Sequence, residues 1–157
     1  MKTPFYFMLL FILMSGRGFS QSSLFSEIRK SISVQHPEID FDEHLLAFSV
    51  WSIADTESRS LNKELEKTFM VYRQARLKGG KKGLIVVLYN KENLEPNAVI
   101  ALQKDGVGHC YSLPLNAIPV DLLRRQDSGL FDHTGVALAT DLTAETVYSL
   151  IQSLITR

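Results

Sequence analysis

The sequence is nearly without cysteine: among 157 residues there is one, Cys110. A single cysteine cannot form a disulfide within the chain, so the fold must be stabilised by packing. It also excludes exchange between paired thiols, which needs a nucleophilic and a resolving cysteine. Two interpretations of Cys110 stay open: a small buried hydrophobic residue, or a thiol that captures a partner.

The sequence also lacks an excess of charge of either sign, because 17 Lys and Arg balance 17 Asp and Glu. Without the two basic residues that precede position 21, the net charge is −2. This balance disfavours nucleic acid and an anionic membrane surface as partners. The hydrophobic content of 45% is ordinary for a globular protein, and the length suits one domain.

An apolar stretch near the N-terminus is typical of a signal peptide. Lys2 precedes ten apolar residues at positions 5–14, and small residues follow at positions 16, 18 and 20. The pattern predicts a signal peptide over residues 1–20 that is cleaved after Ser20, with a retained anchor as the alternative. The run is short for a membrane span, which takes about 20 apolar residues. We expect an exported protein, periplasmic or secreted, with no integral membrane span after cleavage.

Hydrophobic periodicity predicts a lead-in helix followed by a strand–helix–strand unit. Within the lead-in segment, residues 21–39, four apolar residues recur at helical spacing: Leu24, Phe25, Ile28 and Ile32. The continuous apolar runs at 45–51 and 83–89 are typical of strands that are buried on both faces. Between them, residues 55–78 have helical periodicity, and Gly79-Gly80 is a favoured helix end. This order predicts two parallel strands joined by a helix.

The remaining elements are shorter. Residues 96–104 predict a helix and residues 107–113 a strand, whereas residues 117–126 fit neither period. An Asp-x-x-Gly turn between two apolar stretches predicts a hairpin over residues 128–139. Thr143 is then placed to cap a last helix, whose apolar stripe is Val147, Leu150, Ile151 and Leu154. One α/β domain accounts for these elements.

Two motifs resemble those of a known family. Residues 50–59, which contain Trp51 and Arg59, resemble the strand end and active-site helix of exported thiol–disulfide oxidoreductases of the TlpA/ResA type. Residues 129–135 resemble the hairpin of that family, and Asp141-Leu142-Thr143 resembles its lead into the last helix. The resemblance implies a thioredoxin-like domain over residues 40–157, a three-layer α/β sandwich with a central mixed β-sheet.

The departures from this family fall at its catalytic positions. Asp55 and Ser58 stand where the family has its two cysteines, and neither can supply a thiolate. Gln126 stands about where the family has a cis-proline, so we expect the cis turn to be lost. The resemblance therefore implies the fold without dithiol exchange.

Each candidate site residue also has a purely structural interpretation. Asp55 is expected to cap the helix, because Asp is a preferred N-cap and a capped carboxylate is a poor base. Ser58 would need a base and an oxyanion hole to act as a nucleophile, and no motif supplies them. Trp51 ends a buried strand and is expected mainly in the core. His109 and Cys110 are neighbours in a predicted strand and should point to opposite faces.

We therefore predict a protein that binds a protein or extended peptide of the cell envelope without a covalent step. The predicted surface needs no metal or cofactor and has no catalytic residue. It consists of Trp51, Ile53, Ala54, Asp55, Ser58 and Gln126, together with the rest of the turn at residues 124–128. Three alternatives stay open. The first is an enzyme that uses Asp55 and Ser58. The second is a thiol protein that acts through Cys110. The third is an accessory subunit of an envelope assembly.

Overall fold

The computed structural model of the protein describes residues 22–80, 82–92 and 95–156, and only the backbone of Glu95. The predicted signal peptide lies outside these residues, so it stays a prediction. Within the described part of the chain, no helix combines the length and the apolar character that crossing a membrane requires.

Five strands form one mixed sheet in the order β3-β2-β1-β4-β5. The strands are β1 (His44–Trp51), β2 (Gly83–Asn90), β3 (Tyr111–Leu113), β4 (Ser128–Phe131) and β5 (Ala137–Thr140). β1 lies at the centre, parallel to β2 and antiparallel to β4. β3 is parallel to β2, and β5 is antiparallel to β4. The predicted parallel pair and the predicted hairpin are confirmed.

In the described residues, five α-helices cover the two faces of this sheet. They are α1 (Ser23–Gln35), α2 (Thr56–Tyr72), α3 (Glu95–Lys104), α4 (Val120–Arg125) and α5 (Val147–Ser153). α2, α3 and α5 bury apolar residues against one face, while α1 and the partly buried Leu122 and Leu123 of α4 cover the other. This is the predicted three-layer α/β sandwich.

β1 supplies the middle of both hydrophobic clusters. Leu45, Ala47 and Trp51 pack on the side of α2, α3 and α5, whereas Leu46 and Phe48 pack on the side of α1. The alternation follows from the pleat, which points successive side chains to opposite faces. All five are at most 2% exposed. Full burial of a large apolar side chain contributes about 1.5–3 kcal/mol, so this strand anchors both layers.

The predicted lead-in helix is confirmed as α1. Its four predicted apolar positions, from Leu24 to Ile32, are at most 3% exposed. The Ser22 hydroxyl accepts a hydrogen bond from Phe25 N at the N-cap, and Ser22 N donates to Gly135 O at 3.0 Å. The second contact ties the start of the helix to the turn between β4 and β5.

α2 is shorter than predicted, because it ends at Tyr72 rather than at Lys78. Leu77, 2% exposed, forms bridges with Gly80 and Ile155 instead of continuing the helix. Gly79, at a φ of +93°, therefore belongs to a chain reversal beyond the helix. The reversal is required because β2 must begin directly against the end of α2.

Other boundaries also differ from the sequence-based expectation. β3 begins at Tyr111, so most of the predicted strand at 107–113 is irregular. The ambiguous residues 117–126 contain the short helix α4. Thr143 does not cap the last helix: α5 begins at Val147 with Thr146 at the N-cap position, and the Thr143 hydroxyl bonds that of Thr146.

Gly83, the first residue of β2, lies against the end of α2 and is predicted to tolerate a side chain least among the nearby glycines. We expect Gly83→Ala to lower the free energy of unfolding by at least about 2 kcal/mol. A Cβ there would lie 2.4 Å from Arg73 O, and the φ of +139° is unfavourable for any side chain. Urea unfolding followed by Trp51 fluorescence measures the loss.

Gly108→Ala is the matched control for this prediction. A Cβ at position 108 meets no atom within 4 Å, so its effect should stay within about 0.5 kcal/mol. Equal unfolding midpoints for the two variants would contradict the close approach of Gly83 to α2.

Candidate functional site

Asp55 joins β1 to α2 and caps the helix, as predicted. One carboxylate oxygen accepts hydrogen bonds from Glu57 N at 3.1 Å and Ser58 N at 3.4 Å. Partial burial by itself raises the pKa of Asp55, but the hydrogen bonds from Ser58 and Glu57 outweigh it and lower the pKa. The side chain therefore stays ionised at neutral pH and is a weak base.

Ser58 is also used by the local structure. Its hydroxyl donates to Asp55 O at 3.2 Å and accepts from Ser52 N at 3.4 Å. The histidines that could serve as a base form hydrogen bonds elsewhere. His44 bonds Asp40 O, His109 bonds Glu66, and His133 bonds Gly79 O. Within the described residues, no imidazole is therefore placed to activate this hydroxyl.

Two distant side chains fix the connection between β1 and α2. Glu92 Oε2 accepts from Ile53 N at 3.0 Å, and Arg59 Nη1 donates to Ile53 O at 3.4 Å. Arg59 is itself held by a bidentate pair with Asp105, at 2.7 and 2.8 Å. The sequence motif identified Arg59, but Asp105 and Glu92 carry no local signal. Asp105 lies 46 positions from Arg59, and Glu92 lies 39 positions from Ile53.

A groove of about 540 Å³ runs beside the first turn of α2. Asp55 and Ser58 line it, and the opposite wall comes from residues 127–128 and 142–145. Its charged residues are four carboxylates and one amine: Asp55, Glu57, Asp127, Glu145 and Lys91. The groove is therefore open, polar and net negative.

The other predicted site residues lie outside this groove. Trp51 is 2% exposed and lines a second cavity. Ile53 is partly buried against the core, and Ala54 is exposed beside the cap. Gln126 ends α4, and its side-chain amide donates to Ser128 O at 3.1 Å. Its neighbour Asp127, which belongs to the predicted turn at residues 124–128, lines the groove.

The backbone at Gln126 is trans, as are all peptides of the described residues. The Gln126 side chain folds back over β4, where a Cβ at Gly129 would lie 2.2 Å from Gln126 Nε2. This amide therefore covers the strand where the resemblance implied a cis-proline.

Cys110 belongs to a cluster around Glu66, a carboxylate that is 6% exposed. Glu66 accepts from Cys110 Sγ at 3.2 Å, from His109 N at 3.1 Å and from His109 Nδ1 at 2.5 Å. Burial raises the pKa of the Cys110 thiol far above its usual range, and the hydrogen bond to Glu66 raises it further. A thiol held in this way is a poor nucleophile.

The prediction that His109 and Cys110 point to opposite faces was wrong. The two residues precede β3, in a segment without strand geometry, so both side chains reach Glu66. Within the described residues, no group of three His, Cys, Asp or Glu side chains is arranged to hold a metal ion.

Comparison of the fold with solved structures finds thioredoxin-like proteins. The thioredoxin domain of a thiol-disulfide oxidoreductase from Bacteroides vulgatus is 17% identical, with a TM-score of 0.60; 74% of this chain and 83% of that chain are covered. A thiol:disulfide interchange protein from a Bacteroides species is 15% identical, with a TM-score of 0.56; the coverage is 74% and 76%.

A third likeness is to a secreted disulfide oxidoreductase from Mycobacterium tuberculosis. It is 6% identical, with a TM-score of 0.54 over 70% of this chain and 81% of that chain. No family model and no curated protein matches the sequence. These likenesses confirm the thioredoxin-like fold predicted from the two motifs. The single cysteine agrees with the loss of the paired cysteines.

The cap makes a specific prediction about α2. We expect Asp55→Ala to lower the free energy of unfolding by about 1 kcal/mol, because two backbone N–H groups lose their acceptor. Asp55→Asn keeps a capping oxygen and should lose only a few tenths of a kcal/mol at pH 7. Urea unfolding at pH 7 measures both variants, and equal losses would contradict the capping role.

Glu66 should make stability depend on pH. Burial by itself raises the pKa of Glu66, but hydrogen bonds from His109 and Cys110 outweigh it and lower the pKa below the ordinary 4.5. A lowered folded-state pKa stabilises the protein above pH 4.5, and this contribution is lost as the pH falls through the folded-state pKa. We expect the free energy of unfolding to fall on acidification below pH 4.5.

Glu66→Gln tests this dependence. The variant should lose about 1–3 kcal/mol at pH 7, since the buried donors face a weaker acceptor, and its stability should fall less steeply with acid. Glu57→Gln is the control, because Glu57 is exposed at the first turn of α2. Identical acid profiles for Glu66→Gln and the parent protein would contradict the role of Glu66.

Proposed function

We propose that this chain is an exported thioredoxin-like binding domain that holds a protein or peptide of the cell envelope without dithiol exchange. The observation that carries the proposal is the groove beside the N-terminus of α2, of about 540 Å³ and open to solvent. It lies where the fold's active-site helix begins, and both residues at the former cysteine positions line it.

The charges of the groove suggest the chemistry of its partner. Four carboxylates face one amine, so a segment rich in Lys or Arg is electrostatically complementary. Rim charges of this kind mainly direct association and selectivity, and they act less at high salt. We therefore propose a basic segment of an envelope protein as the occupant.

The walls of the groove are fixed before any partner arrives. Glu92 and the Arg59–Asp105 pair hold the connection between β1 and α2, and the buried Ser128 hydroxyl accepts from Leu142 N at 2.8 Å across the opposite wall. A preorganised surface loses little conformational entropy on binding. Asp55 and Ser58 are engaged in the cap, which argues against a catalytic role for either side chain.

Export is supported by the apolar stretch at residues 5–14 and by the fold, which a secreted disulfide oxidoreductase shares. We place the domain in the periplasm or outside the cell on these grounds. Its partner would then be met in the same compartment.

Photo-cross-linking in cells tests the proposal. With p-benzoylphenylalanine at Ala144, inside the groove, we expect a discrete adduct with one envelope protein. Glu57→Lys combined with Glu145→Lys should lower the yield of this adduct about tenfold, because the two lysines that replace the carboxylates repel a basic segment. The yield in isolated envelopes should also fall as salt is raised.

Two controls define the outcome. The cross-linker at Gln152, exposed on α5 and outside the groove, should give no such adduct. Glu27→Lys combined with Asp121→Lys reverses two charges on α1 and α4, and it should leave the yield unchanged. An adduct that survives reversal of the groove charges, in protein shown to be folded, would refute the groove as the binding surface.

A further inference from the structure

The groove beside the start of α2 runs along one edge of the sheet. That edge carries the ends of four neighbouring strands: β2, β1 and β5 end there, and β4 begins there. Residues next to each of these ends line the groove, so the order of the strands gives the order of the lining along it. Neighbouring strands lie about 4.8 Å apart, so the four ends span about 14 Å.

The charged residues of the groove follow this order of strands. Lys91 comes directly after β2, Asp55 and Glu57 follow β1, Asp127 precedes β4, and Glu145 follows β5. The groove therefore has a cation at its β2 end and carboxylates along the rest of its length. This uneven distribution distinguishes it from a uniformly acidic surface.

Lys91 is held at its end of the groove and can meet an anion there. Its backbone N–H donates to Trp51 O at 3.1 Å, and the residue is exposed. None of the ion pairs among the described residues includes it. Burial raises the pKa of Asp55, hydrogen bonds from Ser58 and Glu57 lower it, and the charge of Lys91 lowers it further. The amine and the nearest carboxylate are thus close enough for one ligand to meet both.

An extended peptide matches the length of this groove. It rises about 3.4 Å per residue and turns alternate side chains to the same side, so its positions 1, 3 and 5 span about 14 Å. Position 1 would then lie beside Lys91, position 3 between Asp55 and Asp127, and position 5 beside Glu145. Charge complementarity calls for an anion at position 1 and cations at positions 3 and 5.

We propose that the occupant of the groove is an extended segment of another protein, with an acidic side chain at one end and basic side chains two and four positions away. The acidic side chain pairs with Lys91, and the basic side chains face the carboxylates at the other strand ends. This inference rests on the proposed function and narrows it, since a uniformly basic segment would place one cation against Lys91.

Two peptides of equal composition test the order of the charges. The end-anion peptide is acetyl-Asp-Gly-Lys-Gly-Lys-amide, and the middle-anion peptide is acetyl-Lys-Gly-Asp-Gly-Lys-amide. Nuclear magnetic resonance titration follows the backbone N–H signals of Lys91 and Ala144, which line opposite ends of the groove. At low salt we expect the end-anion peptide to bind about fivefold more tightly, because the other peptide sets a carboxylate against carboxylates. The difference should vanish in about 1 M salt, where the screening length is about 3 Å.

Reversal of the charge at Lys91 tests the role of this residue. In Lys91→Glu, the end-anion peptide should bind about fivefold more weakly than it binds the parent protein, and acetyl-Lys-Gly-Lys-Gly-Lys-amide about fivefold more tightly. Lys104→Glu is the matched control, because it makes the same change of net charge at the exposed last residue of α3, outside the groove. Its affinity for each peptide should stay within about twofold of that of the parent protein.

Three results would overturn the proposed order of charges. The first is the absence of shifts at Lys91 and Ala144 with about 10 mM of the end-anion peptide, tenfold above an expected dissociation constant of about 1 mM. The second is equal affinity of the parent protein for the two peptides of equal composition at low salt. The third is a peptide preference in Lys91→Glu that equals that of the parent protein. The proposed function is judged separately by the adduct formed at Ala144 in cells, which requires a partner but no particular order of charges.

Discussion

The burial of β1 on both faces is the constraint on which the rest of the structure depends. One face packs under α2, α3 and α5 and the other under α1, so neither layer can form without this strand. β1 is also central in the sheet. Because α2 follows β1 directly in the chain, the point where β1 ends sets the start of α2. The groove and the second cavity both lie at that end, one on each side of residues 50–51.

At the start of α2, a carboxylate stands where the family that the sequence resembles has a thiol. A helix N-terminus presents free N–H groups that stabilise a negative charge, whether a thiolate or a carboxylate. Here Asp55 occupies that position permanently and bonds two of those groups. The result is a stable negative charge at the start of α2, at a position that cannot exchange disulfides.

Charged contacts far apart in the sequence make this region rigid. Arg59 joins α2 to the end of α3 through Asp105, and Glu92 holds the backbone before the cap. Glu66 performs a similar role farther along α2, where it binds His109 and Cys110 in the segment that follows α3. The thiol of Cys110 thereby donates a hydrogen bond to a buried carboxylate.

Local sequence patterns were sufficient to predict the two long parallel strands, the hairpin, most helices and the Asp55 cap, because apolar periodicity and capping chemistry act over a few neighbouring residues. They were also sufficient to exclude exchange between paired thiols, since one cysteine cannot form a pair. The folded chain was needed to show that β3 begins only at Tyr111, that α2 stops at Tyr72 and that Trp51 and Asp55 line separate cavities. Those outcomes depend on close approach between residues distant in sequence, as at Gly83, which local patterns do not encode.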